Sequence, residues 1–412
     1  MAVKLRPIEL THEETTPFER VEVQPDPEGH PCPDAMRSRV GVDVIHDGNW
    51  VPSKFTSSDP GHILHPNRLQ EAYVLERDWG AECVASCLAS ALHLPDYTRV
   101  NTARVLLDFG RFPGTSRSGA DHMSRFAITH PFSEHLDHKQ VQDLLESHYD
   151  VISEGMDETL RDRLLKIAIH TYDARKPGRS RRPAVSILTR FHGLTDAPGN
   201  PLRLFDASCP AEIVEMTTDP ILRSRLLLHL EEAAIYAAEN YPYTLPEGSV
   251  EVRAMVWYFF RHVREQFVHR MTHLDHGPAA ERVWNMLMDT NLRSADCYAL
   301  RGFLHMYRRP AKEDEALFLQ ARDYYEEVAA FISEHRETLV RDWLQSTLRP
   351  SSLILEVRKD LVFDYEGSRP VRPRIQDAQY IARVFAAAIQ QYLVEDRPAR
   401  EVALAAQEAR FR

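Results

Sequence analysis

The amino-acid sequence predicts an α/β fold in which helices cover both faces of a largely parallel β-sheet. Short β-prone apolar runs alternate with longer segments whose apolar residues recur every three or four positions, an alternation that is typical of βαβ units. The apolar runs end in polar or glycine-containing loops. Because ligands of such folds bind at the carboxyl ends of the strands, polar residues at these ends are the first candidates for a functional site.

The N-terminal part of the chain begins with an arm and then shows the first alternation. Residues 1–38 are polar and proline-rich, which predicts an extended arm. Residues 39–46 form a β-branched run that ends before Asp-Gly-Asn and predict the first strand. Helical spacing of apolar residues follows over residues 68–93, and residues 102–108 predict a second strand that breaks at a glycine-containing loop.

The next two predicted helices lead to a third strand that ends in a histidine. Apolar spacing predicts helices at residues 139–149 and 156–174. After a basic loop, residues 183–193 form a β-prone run that contains His192 near its end. This strand is expected to be parallel to the first one, so that its histidine reaches the same edge of the sheet.

The C-terminal part of the chain changes to nearly continuous helical spacing before one more strand. Residues 249–348 carry bulky apolar and aromatic residues at three- and four-residue intervals. A β-prone run at residues 351–361 follows, and a helix at residues 375–393 is predicted to cover the sheet. The helical block is therefore interpreted as an insertion, a lid or an interface, in an α/β domain formed by residues 39–248 and 349–412.

The composition is that of an ordinary globular chain. The 412 residues are 43% hydrophobic and 27% charged, and five scattered cysteines fit a reducing compartment. A net charge of -11 without a long Lys/Arg tract argues against a nucleic-acid partner. No apolar stretch approaches the length of a membrane span, and the N-terminus does not resemble a signal peptide. We therefore expect a cytoplasmic protein with neither a nucleic-acid partner nor a membrane partner.

Glu356 is the most unusual residue of the predicted strands, because it places an acid inside an apolar β-prone run. A buried carboxylate is costly unless it is paired or takes part in chemistry. The functional interpretation is a general base or acid. The structural interpretation is an ion pair with Arg358, which lies two residues further on and therefore on the same face of the strand.

Two predicted strand ends carry histidines, His46 and His192. Two histidines and a carboxylate are typical of a hydrolytic divalent-metal site, in which three protein ligands leave one position for water. Asp78 and Glu82 lie four residues apart on one face of the predicted helix that follows His46, and either is a candidate acidic ligand. Because the chain has 20 histidines, the hypothesis depends on the combination of residues and not on any one of them.

Six short motifs follow one another in a distinctive order. They are His-Asp-Gly at 46–48, Arg-Asp-Trp-Gly-Ala-Glu at 77–82, Leu-Leu-Asp-Phe-Gly-Arg at 106–111, Thr-Arg-Phe-His-Gly at 189–193, Asn-Tyr-Pro-Tyr at 240–243 and Leu-Glu-Val-Arg-Lys-Asp-Leu at 355–361. Their order resembles the N-formylglutamate amidohydrolase family. The resemblance implies a three-layer α/β/α fold of the phosphorylase/hydrolase type, related to zinc carboxypeptidases and aspartoacylases, and an enzyme that removes N-acyl groups from amino acids with a metal-activated water.

The resemblance also implies a role for the metal-binding positions. It makes His46 and His192 metal ligands, and it makes Asp78, or alternatively Glu82, the acidic ligand. The implied cofactor is one divalent ion, with zinc preferred for nitrogen and oxygen ligands. The implied partner is a small molecule that resembles an N-acyl amino acid.

Catalytic and substrate-binding roles follow from the same resemblance. Glu356 would accept a proton from the metal-activated water and pass it to the leaving amine. Arg111 would bind the substrate carboxylate, and Arg358 and Tyr243 are further candidate substrate contacts. The predicted reaction is the cleavage of an N-formyl or N-acyl amide bond in a small carboxylate-bearing amino-acid derivative.

Several positions depart from the family pattern, and two of them lie beside candidate site residues. Gly110 stands where the family has an asparagine, so the substrate clamp around Arg111 is expected to differ. Asp47 replaces the usual serine after His46 and is a third candidate for the acidic ligand. A purely structural alternative for Arg111 is an ion pair with Asp108, three residues before it.

Two other functions remain open at the level of sequence. One is a non-catalytic binding or scaffold protein that keeps the α/β shell and holds a partner with the helical insertion. The other is a metallopeptidase or biosynthetic amidase that acts on a larger substrate. Within the insertion, His262, His269, His273 and Glu265 form a candidate second metal group on one helical face; an exposed face or a homo-oligomer contact is the alternative interpretation.

Overall fold

A seven-stranded β-sheet forms the centre of the protein in a computed structural model of the chain. The structure describes residues 9–56, 64–116, 126–160, 163–174, 182–191, 205–305, 309–346, 349–399 and 402. The strands within these ranges are β1 (Phe18–Glu22), β2 (Val40–Val44), β3 (Asp96–Val100), β4 (Phe112–Thr115), β5 (Phe126–Ile128), β6 (Leu165–Tyr172), β7 (Val185–Leu188), β8 (Ala237–Glu239), β9 (Ser351–Arg358), β10 (Phe363–Glu366) and β11 (Arg369–Pro373).

Helices occupy most of the remaining described chain. They are α1 (Asp34–Arg37), α2 (Ser53–Thr56), α3 (Pro66–Glu76), α4 (Ala81–Ala91), α5 (Phe132–His135), α6 (His138–Leu144), α7 (Val151–Leu160), α8 (Glu212–Glu215), α9 (Pro220–Glu232), α10 (Val250–Arg270), α11 (Pro278–Met288), α12 (Ala295–Leu304), α13 (Glu315–Gln345), α14 (Lys359–Val362) and α15 (Ile375–Gln391), with π-helical turns at Leu145–Asp150 and Tyr392–Asp396. Within these ranges, no helix combines the length and the apolar character needed to cross a bilayer.

The predicted α/β class is confirmed, and the sheet is mixed. Its strand order is β1-β3-β2-β6-β9-β7-β8. The four strands β3, β2, β6 and β9 are parallel to one another, whereas β1 and β7 pair antiparallel with β3 and β9. The carboxyl ends of β2, β6 and β9 therefore meet at one edge of the sheet, and β7 ends at the opposite edge.

Helices cover both faces of this sheet and make a three-layer sandwich. Helices α4, α9 and α15 pack on the face that carries Ile167 and Leu355. Helices α10 to α13 belong to the cluster that covers Ala168, Leu188 and Ile354 on the other face. The helical spacing predicted for residues 249–348 is thus confirmed, and these helices form one layer of the sandwich. Their division into a separate domain stays a prediction.

Two predicted elements differ from those of the structure. The predicted helix at residues 156–174 ends at Leu160, and Leu165–Tyr172 form the central strand β6. Every residue of β6 is buried, so its apolar residues show no one-sided pattern that separates a buried strand from a helix. The strand predicted at 102–108 lies earlier, at Asp96–Val100, and residues 104–106 form a turn.

A further difference concerns the helix predicted at residues 68–93. It is broken into α3 and α4 by a non-helical link with a turn at residues 77–80. Gly80 has a φ of 89°, in the left-handed region that glycine adopts without strain. The break matters because it removes Asp78 from a helix and places it in a loop beside the sheet.

A buried ion triad joins the sheet to the helical layer above it. The Lys166 Nζ of β6 lies 2.8 Å from Asp43 Oδ2 of β2 and 2.6 Å from Glu251 Oε1 of α10. Burial alone would lower the pKa of Lys166, but the charges of the two acids raise it. Burial raises the pKa of Asp43, whose Oδ1 has no hydrogen-bond partner within the described ranges.

Replacement of the lysine is expected to destabilise the protein strongly. The Lys166→Met variant leaves two carboxylates buried side by side, and breaking a buried pair in this way costs about 3–5 kcal/mol. Urea unfolding of the variant and the parent measures the free energy of unfolding. Adding Glu251→Gln to Lys166→Met should recover part of the loss, because it removes one of the unpaired charges. Equal stability of parent and Lys166→Met would contradict this account of the layer contact.

Candidate metal centre

Three separate elements bring His46, Asp78 and His170 together. His46 follows β2, Asp78 lies in the link between α3 and α4, and His170 lies near the end of β6. The Asp78 backbone N–H donates to the His46 carbonyl at 3.0 Å. The Thr171 hydroxyl donates to the Trp79 carbonyl at 3.1 Å, which fixes the link against β6. The three side chains therefore meet because two hydrogen bonds tie the link to the ends of two neighbouring strands.

The nitrogen and oxygen atoms of this group form a compact triangle. His46 Nδ1 lies 3.1 Å from His170 Nδ1, His170 Nδ1 lies 2.9 Å from Asp78 Oδ2, and His46 Nδ1 lies 3.5 Å from Asp78 Oδ2. Bonds of about 2.0–2.1 Å to a tetrahedral zinc ion would place ligand atoms about 3.3–3.4 Å apart. The triangle therefore has the dimensions of three ligands around one ion, and all three residues are buried.

The positions available to the protons of the two histidines also suit a bound cation. His46 Nε2 lies 2.8 Å from Asp108 Oδ1, so a neutral His46 carries its proton there and turns a lone pair at Nδ1 toward His170. His170 Nε2 is buried without a hydrogen-bond partner among the described residues. If its proton is at Nε2, the donor is unsatisfied, and if it is at Nδ1, the lone pair at Nε2 is unsatisfied. A cation bound by both Nδ1 atoms and Asp78 would satisfy the two nitrogen lone pairs that converge there, and the His170 proton would then be at Nε2, where the described residues offer no acceptor.

Asp108 orients His46 from the side opposite the triangle. Its Oδ1 accepts from His46 Nε2 at 2.8 Å and from the Gly110 backbone N–H at 3.0 Å, and its Oδ2 accepts from Arg111 Nε at 2.8 Å. A carboxylate that receives the second N–H of a metal-ligating histidine fixes the tautomer and the ring orientation. A methyl group on Gly110 would stand 3.2 Å from Asp108 Oδ1 and 3.4 Å from the imidazole ring of His46, so a side chain at this position would crowd the carboxylate that orients His46.

Arg104 contacts both Asp78 and Asp108. Its Nη1 lies 3.2 Å from Asp78 Oδ1, and its Nε lies 3.2 Å from Asp108 Oδ2. Burial would raise the pKa of both acids. Hydrogen bonds from the two histidines and the Arg104 charge hold the pKa of Asp78 far below its usual range, and the charges of His46 and Arg104 do the same for Asp108. Both carboxylates are therefore ionised. Asp78 is suited to bind a cation, and Asp108 is suited to hold the ligand His46.

Glu356 stands beside this group on the neighbouring strand. It pairs in register with His170 across β6 and β9, so the two side chains leave the same face of the sheet. Burial raises the pKa of Glu356, the charge of Asp78 raises it further, and that of His170 opposes both. The side chain is half-buried, in contrast to the other inward-facing residues of β9. A carboxyl with a raised pKa at the rim of a cation site is suited to accept and return a proton.

Arg111 forms the ion pair with Asp108 that the structural alternative predicted. The Nε–H donates to Asp108 Oδ2 at 2.8 Å, and 26% of the side chain is exposed. Its carbonyl accepts from Tyr149 Oη at 2.9 Å, and Arg253 Nη1 donates to the same Oη at 2.8 Å. The Arg111 backbone also lies so close to Gly248 that a methyl group there would stand 2.8 Å from its Cα. The start of the helical layer thus holds the loop that carries this arginine.

The alternative acidic ligands contact other partners. Asp47 accepts from Arg77 Nε at 2.6 Å and from the Glu82 backbone N–H at 2.8 Å, so it supports the start of α4. Glu82 Oε1 forms an ion pair with Arg99 and accepts from Tyr97 Oη at 3.2 Å. The group of possible metal ligands that the structure brings together contains Asp78 and neither of these acids.

The two further substrate candidates lie at the carboxyl end of β9 and beyond β8. Arg358 is buried and donates to Asp360 Oδ1 at 2.6 Å and to the Arg182 carbonyl at 3.3 Å. The expected ion pair between Arg358 and Glu356 does not occur among the contacts of the described residues, since the guanidinium turns to Asp360. Tyr243 is 42% exposed, and its Oη accepts from Arg182 Nη2 at 2.7 Å.

His192 lies outside the described residues, so its predicted role as a ligand stays a prediction; within the described residues, the histidine beside His46 and Asp78 is His170. The argument for His192 assumed that β7 is parallel to β2, but β7 pairs antiparallel with β9. His170 was missed because its segment was predicted as a helix. The signal that could have found it is the run Ile-Ala-Ile-His-Thr-Tyr at 167–172, in which one polar residue interrupts a β-branched series.

The histidines of the helical layer do not form the face that their spacing suggested. His262 and His269 lie in α10, but the helix ends at Arg270 and His273 falls in the following turn. His269 and His273 are exposed. Burial lowers the pKa of His262, whose ring packs 5.6 Å from that of Trp343. The only group of possible ligands detected within the described part of the chain is His46, Asp78 and His170.

Two solved structures are similar to this chain. N-formylglutamate amidohydrolase from Ralstonia eutropha shares 12% sequence identity with a TM-score of 0.45, and the match covers 92% of this chain and 98% of that one. A gene product of Agrobacterium tumefaciens shares 15% identity with a TM-score of 0.43, and the match covers 92% and 97% of the two chains. No protein-family profile and no curated protein matches the chain. The function is therefore argued from the residues of this chain.

Proposed function

We propose that the protein is a metal-dependent hydrolase that cleaves the N-formyl or N-acyl amide bond of a small carboxylate-bearing amino-acid derivative. The observation that carries the proposal is the triangle of His46 Nδ1, Asp78 Oδ2 and His170 Nδ1, with sides of 2.9 to 3.5 Å, at the carboxyl ends of parallel strands. The order of the sequence motifs, which resembles the N-formylglutamate amidohydrolase family, supports the choice of an amide substrate.

His46, Asp78 and His170 would hold one divalent ion, and zinc suits two nitrogen ligands and one oxygen ligand. Such an ion supplies a water of lowered pKa and polarises the amide oxygen. Asp108 keeps the His46 proton at Nε2, so that Nδ1 remains available as a ligand. Arg104 fixes both carboxylates of the site through 3.2 Å contacts. These contacts of Asp108 and Arg104 hold the ligand atoms in place before a substrate enters.

Glu356 is the proposed proton carrier. It shares the face of the sheet with His170 and is the half-buried residue of an otherwise buried strand. Its raised pKa, caused by burial, favours acceptance of a proton from the attacking water. The same carboxyl then returns the proton to the nitrogen of the leaving amine. Two proton transfers by one residue account for both halves of an amide hydrolysis.

Arg111 is the proposed contact for the substrate carboxylate, and replacing it should affect binding more than chemistry. Loss of a charged hydrogen bond of about 1.5–3 kcal/mol corresponds to a rise in KM of about 10- to 150-fold for the Arg111→Met variant. Steady-state kinetics with an N-acyl amino acid measure this change.

The matched control is the same substrate with its carboxylate converted to a carboxamide. Arg111→Met should alter the KM for this neutral substrate little, because it lacks the charge that the guanidinium recognises. An equal effect on both substrates would assign Arg111 to the support of Asp108, which it contacts at 2.8 Å. In the proposed function, Arg358 and Tyr243 remain candidate secondary contacts of the substrate.

A substrate panel tests the reaction itself. Zinc-loaded protein is assayed with N-formyl, N-acetyl and longer N-acyl derivatives of acidic and neutral amino acids, and with dipeptides. Turnover of the small N-acyl compounds, abolished by chelation and restored by zinc, is the expected result. Preferential turnover of dipeptides or larger amides would favour the metallopeptidase or biosynthetic amidase. A metal-free native protein that turns over none of the panel would favour the non-catalytic scaffold.

A further inference from the structure

We infer that Arg253, near the start of α10, is a positioning residue that fixes the Arg111 guanidinium relative to the metal centre and so selects the distance between the amide and the carboxylate of a substrate. The inference rests on the proposed function, in which Arg111 binds the substrate carboxylate. Arg253 belongs to the helical layer, and none of the six sequence motifs contains it. The helical layer would therefore take part in substrate recognition without contacting the substrate through Arg253.

Arg253 holds the loop that carries Asp108 and Arg111 at two backbone carbonyls. Its Nη2 donates directly to the Phe109 carbonyl at 3.0 Å. Its Nη1 donates to Tyr149 Oη at 2.8 Å, and this hydroxyl donates in turn to the Arg111 carbonyl at 2.9 Å. One guanidinium thus fixes the loop between the carboxylate that orients a metal ligand and the proposed contact of the substrate.

The Arg253 guanidinium is itself held in one place. Arg253 and Tyr149 are buried, and Arg253 Cζ lies 4.8 Å from the centre of the Phe109 ring and 5.9 Å from that of the Tyr149 ring. The two rings lie 5.0 Å from each other. A further bond runs from Nη1 to Asn291 Oδ1 at 2.7 Å. A planar group that contacts two rings and bonds to three residues has little freedom, so it transmits the position of α10 to the loop.

The charge of Arg253 argues for a role beyond packing. Among the described residues Arg253 forms no ion pair, because the three partners of its guanidinium are a phenol, an amide and a carbonyl. Its Nε is buried without a hydrogen-bond partner in the same part of the chain. A buried charge is costly, and apolar residues of similar volume often stabilise a fold as well or better. Residues that break such rules are expected at functional sites.

The start of α10 is also fixed to the strand that carries a metal ligand. Glu251 Oε1 lies 2.6 Å from Lys166 Nζ of β6, and His170 lies four residues further along that strand. A methyl group on Gly248 would stand 2.8 Å from Arg111 Cα, so the residues before the helix touch the same loop. The first turn of α10 therefore fixes the spacing between His170 and Arg111, and a substrate must match this spacing to reach both.

The Tyr149→Phe variant tests the connection, because it removes the hydroxyl between Arg253 and Arg111 and keeps the aromatic ring. Isothermal titration calorimetry measures binding to zinc-loaded Glu356→Gln protein, which lacks the proposed base and does not consume the ligand. Three ligands are N-acetylglycine, N-acetyl-β-alanine and N-acetyl-4-aminobutyrate, whose carboxylates lie progressively further from the amide. The fourth is N-acetylglycinamide, which has no carboxylate.

One acid should bind at least about tenfold more tightly than the other two, since a fixed guanidinium suits one spacing. Tyr149→Phe should weaken the binding of this acid about 2- to 10-fold, the effect of one neutral hydrogen bond, and should reduce the preference among the three acids. Binding of the carboxamide should not change. Tyr324→Phe is the matched control, because it removes a buried hydroxyl that bonds to His276 and Trp284 inside the helical layer. It should bind all four ligands as the parent does.

Two results would overturn the inference. One is an unchanged preference among the acids in Tyr149→Phe and in Arg253→Met, which removes both connections to the loop. The other is equal weakening of the acids and the carboxamide, because a merely structural role affects charged and neutral ligands alike. Tyr149→Phe is the milder variant and decides the result alone if Arg253→Met does not fold.

Hydrogen exchange of the metal-free protein distinguishes a failure of this inference from a failure of the proposed function. The Gly110 and Arg111 amides donate to Asp108, and Tyr149→Phe should speed their exchange at least about twofold while the amides of α10 exchange as before. If the protein binds none of the acids, the proposed function fails. Faster exchange in the loop then still supports the positioning role of Arg253, and unchanged exchange overturns it.

Discussion

The His170→Ala variant should lose its metal ion. Removal of a residue that only supports a ligand reduces metal affinity about 10- to 100-fold, so removal of a ligand should exceed about 100-fold. The physical reason is that two ligand atoms, His46 Nδ1 and Asp78 Oδ2, would remain of a triangle with sides of 2.9 to 3.5 Å. Competition against a chromophoric chelator measures the affinity, and elemental analysis after dialysis measures the metal content.

His192→Ala is the matched control, because it tests the histidine that the sequence predicted as the third ligand. Under the present proposal His192→Ala keeps stoichiometric zinc and His170→Ala does not. The reverse pattern would return the third ligand to His192 and would leave His170 as a buried hydrogen-bond partner of Asp78. Loss of zinc in both variants, with both still folded by circular dichroism, would indicate that the ion recruits ligands from both positions.

The sequence identified candidate residues at the ends of predicted strands. It did not identify those whose position depends on which strands pair with one another. His46 was found because its β-branched strand precedes a polar loop, and Glu356 because an acid is conspicuous in an apolar run. Asp78 was found with the wrong local structure, in a helix instead of the link between α3 and α4. Local composition therefore marks the end of a strand, but it does not show where that end lies in the sheet.

The failure to identify His170 from the sequence has a physical explanation in the sheet. β6 lies between β2 and β9 and is buried on both faces, so it lacks the alternation that identifies an edge or half-exposed strand. The direction of β7 depends on its pairing with β9, which follows it by more than a hundred residues in the chain. Neither property is encoded in a window of ten residues. Arg104 was missed for a similar reason, since its role comes from carboxylates that precede and follow it in different loops.

Glu356→Gln should remove catalysis while keeping the metal. The substitution preserves the size of the side chain and its hydrogen-bonding atoms but removes the ability to carry a proton. General acid–base catalysis of this kind contributes about 10²- to 10⁴-fold, so kcat should fall by that factor with zinc content unchanged. Glu232→Gln, at the end of α9 in the opposite helical layer, is the exposed control and should leave kcat unaltered.

Stability provides a second and independent readout for the same variant. Burial raises the pKa of Glu356, which means that the folded protein disfavours the charged carboxylate relative to the unfolded chain. Glu356→Gln should therefore leave the free energy of unfolding of the metal-free protein unchanged or raise it, as expected for a residue kept for chemistry and not for stability.

The opposite combination of results would assign Glu356 a structural role. A variant that loses zinc, unfolds more readily and yet turns over normally when saturated with zinc would make Glu356 a positioning residue for His170, its neighbour in register across β6 and β9. The two readouts separate these roles because a proton carrier acts on kcat alone, whereas a positioning residue acts through the metal. Glu356 is therefore assigned as the base if Glu356→Gln lowers kcat and does not lower the free energy of unfolding.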